Sequence, residues 1–504
     1  MQPEVQTEAG GTAARSEDEL REGSQHDWRQ VASDLSAVVD PHFVIHDEET
    51  MRPYECDGLP MYRQMPRLVV LPGSASEARA VLGYCHARRI PVVARGGGTG
   101  LCAGAMPDAN GIVLSLSRLD RIVEIDPASR SARVEPGVTN LAISEAARVH
   151  GLYYAPDPSS QIACTIGGNV AENSGGVHCL KYGLTIHNLL EVKLLTVEGD
   201  ELVVGSGGYD AAGLDLLALV TGSEGLLGVV VEVTVRLLPV PPAAQLVVAA
   251  FDSLQKAGDT VSGVITEGIV PAGLEMMDSA AIRAAEDFVG AGYPVDAAAL
   301  LLCELDGSPE EVAAERERVV ELFGSFGATD VRVSGSEAER QLLWRGRKAA
   351  FPAVGRIAPD YYCMDGTIPR NALAAVLTEI TRLSEHYGLR VANVFHAGDG
   401  NLHPLILFDA NQPGDFEKAE AFGGDILELC VRHGGCITGE HGVGVEKLRQ
   451  IPLQFSEAEL GQLGNIKIAF DAFETLNPGK GIPILHRCQE YRALARAERE
   501  AAGD

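Results

Sequence analysis

Short runs of valine, isoleucine and leucine recur along residues 66 to 240, separated by polar or glycine-bearing stretches. PRLVVLP (66–72) has the unbroken apolar character of a buried strand. SASEARAVLGYCHARR (74–89) follows as a helix, with Ser74 or Ser76 placed to cap its first free N–H groups. IPVVARGGGTGLCAGA (90–105) reads as a strand running into a glycine-rich loop, and GIVLSLSRL and ARVEPGV continue as short strands. This is an α+β pattern, not a regular βαβ alternation. PVPP (239–242) punctuates it as a boundary. Beyond it, AAQLVVAAF (243–251) and AAALLLCELDG (297–307) read as buried strands. SPEEVAAERERVVELFGSFG (308–327) is an amphipathic helix opened by Ser-Pro, and NALAAVLTEITRLSEHYG (371–388) is a helix closed by Gly388. These elements predict a small sheet covered by helices. Residues 414 to 480 read as mostly helical around GCITGEHGVG, and 484 to 504 as a charged peripheral helix.

Composition adds limits. Apolar residues make up 46% of 504, enough for a sizeable core. The 41 Lys and Arg against 70 Asp and Glu leave a net charge of −29, which disfavours nucleic acid and anionic membranes as partners. No apolar run approaches the roughly 18 residues that would span a bilayer. The acidic, polar start (1–30) lacks the features of a secretion signal and reads as disordered. The ten cysteines are dispersed with no C-x-x-C pair, which points to a reduced, cytoplasmic protein without an iron–sulfur site of its own.

Candidate chemistry falls in a few places. RGGGTGL (95–101) lets backbone N–H groups approach a diphosphate without Cβ interference. It lacks the spacing of an ATP-type phosphate loop, and no helix follows it as a dinucleotide fingerprint requires, so a tight structural turn stays open. PDPSSQIACTIGGNVAENSGGVHCLKYG (156–183) is too polar for a core element. With TGSEGLLGVVVEVTV (221–235) it makes three polar, glycine-rich segments in one region, suited to an extended ligand such as a dinucleotide. HAGDGNLH (396–403) sets two histidines at the ends of a turn-forming spacer. His396, His403 and Glu440 make a His/His/carboxylate set fit for a divalent metal with open positions, against the alternative of separate structural histidines. WRGRK (344–348) offers cations for a carboxylate, or a solvated basic patch.

PRLVVLP, PVVARGGGTGL, TIGGN and GSEGLLG resemble the FAD-binding domain of the vanillyl-alcohol oxidase / p-cresol methylhydroxylase (PCMH) family. HAGDGNLH, TGEHGVG and NPGKG are similar to the C-terminal half of its 2-hydroxyacid branch. Stretches 156–190, 346–370 and 390–414 are similar to the glycolate-oxidising members of that branch, and the resemblance covers roughly residues 40 to 490. It implies an α+β chain with a two-subdomain PCMH-type FAD-binding domain at 66–242, after a helical lead-in at 31–65. A ferredoxin-like cap or substrate domain at 243–413 and a C-terminal helical segment at 414–483 that returns to the flavin complete it.

Carried over by position, the resemblance places the pyrophosphate loop on Arg95, Gly96, Gly97, Gly98, Thr99, Gly100 and Leu101. Flavin contacts fall on Pro156, Ser159, Thr165, Gly167, Gly168, Asn169, Asn173, Tyr182, Gly183, Gly225, Gly228, Val230 and Asn477. No histidine lies beside the glycine loop, so the FAD is expected to be noncovalent. His396, His403 and Glu440 correspond to ligands of a divalent metal (Zn, Mn or Fe), His441 to the base, and Arg347 to the clamp on the substrate carboxylate. Glu440 and His441 are adjacent, and on a strand they would face opposite ways; the flanking glycines predict a loop instead. Cys363 stands where 2-hydroxyglutarate-type relatives place a lysine, which argues for a small monocarboxylate. The implied reaction is glycolate to glyoxylate, with D-lactate to pyruvate as a further one; a stand-alone D-lactate dehydrogenase is the alternative. A noncatalytic scaffold subunit would have lost the metal and base set, which is intact. The implied partners are an iron–sulfur subunit and a second FAD-binding-type subunit passing electrons to quinone, with the complex peripheral to the inner membrane face through those partners.

Overall fold

The computed structural model describes residues 26–208 and 213–483. Most of the acidic start (1–25) and the charged tail (484–504) lie outside the described residues. A helix already runs from Trp28 to Leu35, earlier than the lead-in expected from residue 31, because Asp27 caps it and Val31 and Leu35 are buried. Short helical turns and the strand Val44–Ile45 fill the rest of this lead-in.

Two sheets make the first half. The first has four strands in the order Val44–Ile45, Leu68–Val70, Ile112–Ser115, Val92–Arg95, the last three mutually parallel. Leu68, Val69 and Val70 are all buried, as a parallel strand covered on both faces requires. The helix Ala75–Arg88, capped by Ser74, joins two of these strands, and Val92 runs straight into the glycine loop. The second sheet is antiparallel, in the order Ile122–Asp126, Ser131–Val134, Val229–Arg236, Leu189–Leu195, Glu201–Gly205. Burial alternates along Val229–Arg236, since only one face meets the core.

The second half is built on a seven-stranded antiparallel sheet, larger than the small sheet expected. Its strands Ala243–Phe251, Gly273–Asp278, Ala299–Gly307 and Asp330–Val333 lie in the spatial order fourth, first, third, second. With the helices Leu254–Thr266 and Pro309–Ser325 as crossovers, this is a ferredoxin-like unit. Arg390–His396, Asn401–Phe408 and Asp360–Cys363 extend it at one edge. Successive residues point to opposite faces: Val247, Ala249, Phe251, Leu301 and Cys303 pack under one helical layer. Leu246, Val248, Ala250, Leu300 and Leu302 pack under the other, which includes Ser279–Val289 and Glu337–Lys348. After the helix Asp415–Arg432 the chain forms the 437–444 loop, then the helices Ile451–Gln454 and Glu457–Phe470. Leu476 finally pairs in parallel with Val92, so the C-terminal segment rejoins the first sheet. Among the described residues no helix is long and apolar enough to cross a membrane.

Candidate active site

A cavity of about 470 Å³ runs between the two halves. One end is lined by Arg95, Gly96, Gly97, Gly98, Thr99, Gly100 and Leu101. Thr165, Gly167, Gly168 and Asn169 line it from the TIGGN turn, and Gly225, Gly228 and Val230 from the SEGLLG turn. Gly98 has φ +66°, a left-handed conformation in which a Cβ would collide with the Arg95 guanidinium. A Cβ on Gly97 would strike the Ala163 carbonyl, so this loop closes onto the TIGGN turn only as glycine. The glycine-lined walls offer backbone groups to a ligand with no side chain in between, which fits the diphosphate and ring of FAD. Glu172 also lines the cavity; burial, with Glu224 beside it, pushes its pKa well up and favours the neutral form next to an anionic ligand.

Five of the expected flavin contacts do not line this cavity. The Pro156 carbonyl accepts from Asn140 Nδ2 at 3.1 Å. Asn173 caps the helix Ile166–Glu172 in a left-handed conformation, and its Oδ1 accepts from Ile186 N. The Tyr182 hydroxyl donates to Asp306 Oδ2 at 2.6 Å, and Gly183 (φ +79°) turns the chain beside it. Asn477 braces instead of lining: its Nδ2 donates to the Gly104 and Glu224 carbonyls, tying two cavity-wall loops together. Ser159 does line it, next to Ser160.

At the other end lie His396, His403, Glu440 and His441. Arg390–His396 and Asn401–Phe408 form the hairpin that the spacer chemistry predicted, with Gly400 at φ +86° in the turn. His396 pairs with Asn401 and His403 with Val394, so both imidazoles fall on one face, diagonally across the strands. Their ring centroids are 5.1 Å apart. His403 Nδ1 lies 3.1 Å from the Met364 carbonyl, which can only accept, so Nδ1 carries the proton and Nε2 faces the cavity. His396 Nδ1 is held by Glu275 at 2.8 Å. Glu440 Oε1 sits 3.0 Å from His403 Nε2 and 3.4 Å from His396 Nε2. Burial alone would raise the Glu440 pKa; the bonds from the two histidines outweigh it and hold the carboxyl well below its ordinary value.

Residues 437–444 are a loop, as the glycines implied, and Glu440 and His441 therefore face the same space. The His441 ring stacks on His403, 4.9 Å between centroids and 14° from parallel. Burial pushes its pKa down to about 4, so the imidazole is neutral at pH 7. The loop is organised by Asp365, fully buried, whose carboxylate accepts from the N–H groups of Gly439, Glu440 and His441 and from Thr438 Oγ1. Glu224 clasps it from the other half, accepting from Val443 N and Gly444 N at 2.7 Å each. Cys363 Sγ lies within 4.8 Å of ring nitrogens of His403 and His441, and its thiol brings no basic side chain to that place.

Arg347 is displaced from its expected position. Its side chain is 1% exposed and pairs with Glu275, behind His396 and away from the cavity wall. Its neighbour Lys348 lines the cavity with Phe351 and Pro352. The sequence reading also missed Asp365, Glu275 and Glu224; the acidic residue beside glycine in MDG and SEG was the only local sign of two of them.

Known proteins resemble this chain over most of its length. Residues 66–205 match the family described as FAD binding domain, and 240–481 match FAD linked oxidases, C-terminal domain. Glycolate oxidase subunit GlcD of Escherichia coli (strain K12) is 60% identical, over 90% of this chain and 90% of its own. The subunit of the same name from Bacillus subtilis (strain 168) is 37% identical over 85% and 91%. D-lactate dehydrogenase of Archaeoglobus fulgidus is 32% identical over 82% and 90%. The solved structure of p-cresol methylhydroxylase with substrate bound superposes with a TM-score of 0.78 at 16% identity, covering 92% of this chain and 99% of that one. The fold is thus the PCMH-type α+β fold, and the chain belongs to the family of FAD-linked oxidases that includes these glycolate oxidase subunits and D-lactate dehydrogenases.

Proposed function

We propose that this chain is the flavin-bearing catalytic subunit of a glycolate oxidase, a glycolate dehydrogenase that converts glycolate to glyoxylate and also oxidises D-lactate to pyruvate. The observation that carries this reading is the convergence of His396, His403, Glu440 and His441 at one end of a glycine-lined cavity. Bound FAD supplies a hydride acceptor for the substrate carbon, and a bound divalent metal (Zn, Mn or Fe) supplies charge that lowers the pKa of the substrate hydroxyl. His441, neutral and stacked on His403, takes the hydroxyl proton. The glycine loop and the TIGGN and SEGLLG turns hold the cofactor noncovalently.

The metal assignment rests on proton counting. Each of the two imidazoles lies between two acceptors: His396 between Glu275 and Glu440, His403 between the Met364 carbonyl and Glu440. With Glu440 ionised, satisfying all of them with protons alone requires two imidazolium rings in contact. His396, His403 and Glu440 would hold a single divalent cation, whose charge would take the place of those protons without that repulsion. Glu440→Ala is therefore expected to lose metal while retaining FAD; metal analysis of the purified variant checks this, and an unchanged metal content would remove Glu440 from the ligand set.

The electron acceptor is not NAD in this reading. The relatives called GlcD are subunits. An iron–sulfur subunit and a second FAD-binding-type subunit carry the electrons onward to quinone, and hold the complex at the inner face of the membrane. The test is anaerobic mixing of the purified chain with glycolate while the visible flavin band is followed. Bleaching supports the reading. Bleaching by D-lactate alone would replace it with a stand-alone D-lactate dehydrogenase, and a yellow protein that neither acid bleaches would count against a self-sufficient catalytic chain.

A further inference from the structure

A second cleft, of about 640 Å³, lies at one end of the large sheet and shares no lining residue with the cofactor cavity. It opens where a strand leaves the sheet early. Gly273–Asp278 pairs with Arg390–His396 only at Met276↔Phe395 and Met277↔Val394, and after Asp278 the chain turns out into the helix Ser279–Val289. Among the described residues, Arg390 and Val391 therefore have a strand partner on one side only, and the cleft occupies the notch beside them.

Three arginines line it: Arg283, Arg356 and Arg390. Acidic residues outnumber basic ones 70 to 41 in this chain. Among the described residues none of the three nevertheless forms an ion pair with a carboxylate. Each guanidinium instead donates to a neutral oxygen of another lining residue. Arg283 Nη2 is 3.3 Å from Ser279 Oγ, Arg356 Nη1 is 2.7 Å from the Asp287 carbonyl, and Arg390 Nη2 is 2.9 Å from the Ile357 carbonyl. Those bonds gather the charges. Arg283 and Asp287 are one turn apart on one face of the helix Ser279–Val289, and Ile357 directly follows Arg356. Three like charges around one opening make a positive potential that draws in an anion.

Two carboxylates also line the cleft, Asp278 and Asp287. Asp278 is engaged by its neighbours: Oδ1 accepts from Ala281 N, and Oδ2 from the backbone N–H and the Nδ2 of Asn393, each at 2.9 Å. Three cations against two carboxylates leave the lining positive. A helix also begins at the cleft: Leu254 lines it and opens Leu254–Thr266, whose cap Ser253 makes no side-chain bond to the first turn. Uncapped N–H groups of that kind favour an anion. A buried acceptor supplies an independent sign of a ligand. Asn393 lines the cleft and is 3% exposed; its Nδ2 is spent on Asp278, and its Oδ1 is buried with no hydrogen-bond partner. Such an atom calls for a donor, and a guanidinium-bound anion with a hydroxyl group brings one.

We propose that this cleft binds a small phosphate monoester that carries a hydroxyl group. The phosphate is held by Arg283, Arg356 and Arg390, and the hydroxyl donates to Asn393 Oδ1. A phosphate presents three terminal oxygens, one for each guanidinium, where a carboxylate presents two. The site is remote from the reacting groups: Arg390 begins the strand that His396 ends, and Asp278 ends the strand that carries Glu275.

The test is calorimetric titration of the full chain saturated with FAD, in a chloride buffer, with sn-glycerol 3-phosphate, propyl phosphate, inorganic phosphate and malonate. FAD saturation keeps the phosphates out of the cofactor cavity. Glycerol 3-phosphate is expected to bind once per chain, more tightly than propyl phosphate, which lacks the hydroxyls, and more tightly than malonate. Arg356→Gln and Arg390→Gln replace exposed side chains and so leave the fold intact. Each is expected to weaken binding by roughly 10-fold or more, the loss of one charge-assisted contact. Flavin reduction by glycolate should be unchanged in both. No binding of either ester at about 10 mM overturns the proposal, since an affinity weaker than that is no specific site. Binding that both arginine variants leave unchanged overturns it too, because the ester then sits elsewhere. Malonate binding more tightly than the phosphates overturns the phosphate assignment. Equal affinity for propyl and glycerol phosphates removes Asn393 from the site.

Discussion

His441→Ala is expected to slow flavin reduction by glycolate by ~10²-fold or more, the usual contribution of a positioned general base. FAD and metal content should stay unchanged. The imidazole is free for this work in a way its neighbours are not. His396 and His403 each have both ring nitrogens engaged. The His441 Nδ1 has no hydrogen-bond partner, and its Nε2 is 3.9 Å from Glu440 Oε1, beyond hydrogen-bonding distance. Burial keeps the ring neutral, against the opposing pull of Asp365, so it can accept a proton at pH 7. Stacking on His403 fixes the ring plane without using either nitrogen. Rapid mixing under anaerobic conditions measures the rate, and added imidazole should restore part of it in the alanine variant. Reduction at the unmodified rate would mean that the hydroxyl proton leaves by another route.

The parts of this site legible in the sequence are those encoded by local chemistry. RGGGTGL reads as a ligand loop, with a tight structural turn as the alternative, because consecutive glycines let backbone N–H groups approach a ligand, and HAGDGNLH reads as a turn because its Gly, Asp and Asn spacer can fold the chain back. The helix at Pro309–Ser325 was equally plain, since Ser308 and Glu311 form a capping box within four residues. What could not be read depends on partners far along the chain. Glu275 is 121 residues from the histidine it holds, and Asp365 is 75 from the loop it organises. WRGRK gathers three cations within little more than one turn of helix, and only the packed helix decides which of them faces the cavity. Tyr182 and Gly183 sit in the segment expected to touch the cofactor, but Asp306 of the opposite half claims the tyrosine hydroxyl. The size of the large sheet was hidden for a similar reason: its last three strands are separated from the ferredoxin-like four by helices and join them only at an edge.

Asp365→Ala should be the most damaging single change outside the residues that face the substrate. It removes the acceptor for the Glu440 and His441 N–H groups and for Thr438 Oγ1 in one step. A buried donor left unpaired costs about 1–3 kcal/mol, so leaving the set unpaired would cost several. The loop avoids this by shifting towards water, and Glu440 and His441 move with it. Lys447, fully buried with its Nζ 3.7 Å from Asp365, keeps Glu446 at 2.9 Å and the Gly442 carbonyl at 2.8 Å. Lost charge pairing is thus the smaller part, and displacement of the loop the larger. The expected result is a ~10²-fold or greater fall in the rate of flavin reduction, as for loss of the base itself, together with loss of metal and a lower melting temperature. Asp365→Asn keeps one acceptor oxygen and should fall between the two. Metal content separates this mechanism from simple loss of a base, since His441→Ala retains metal and Asp365→Ala does not. An Asp365→Ala protein that is merely less stable, with metal content and rate intact, would show that the glycines hold the loop by themselves and that Glu224, clasping Val443 and Gly444, is support enough.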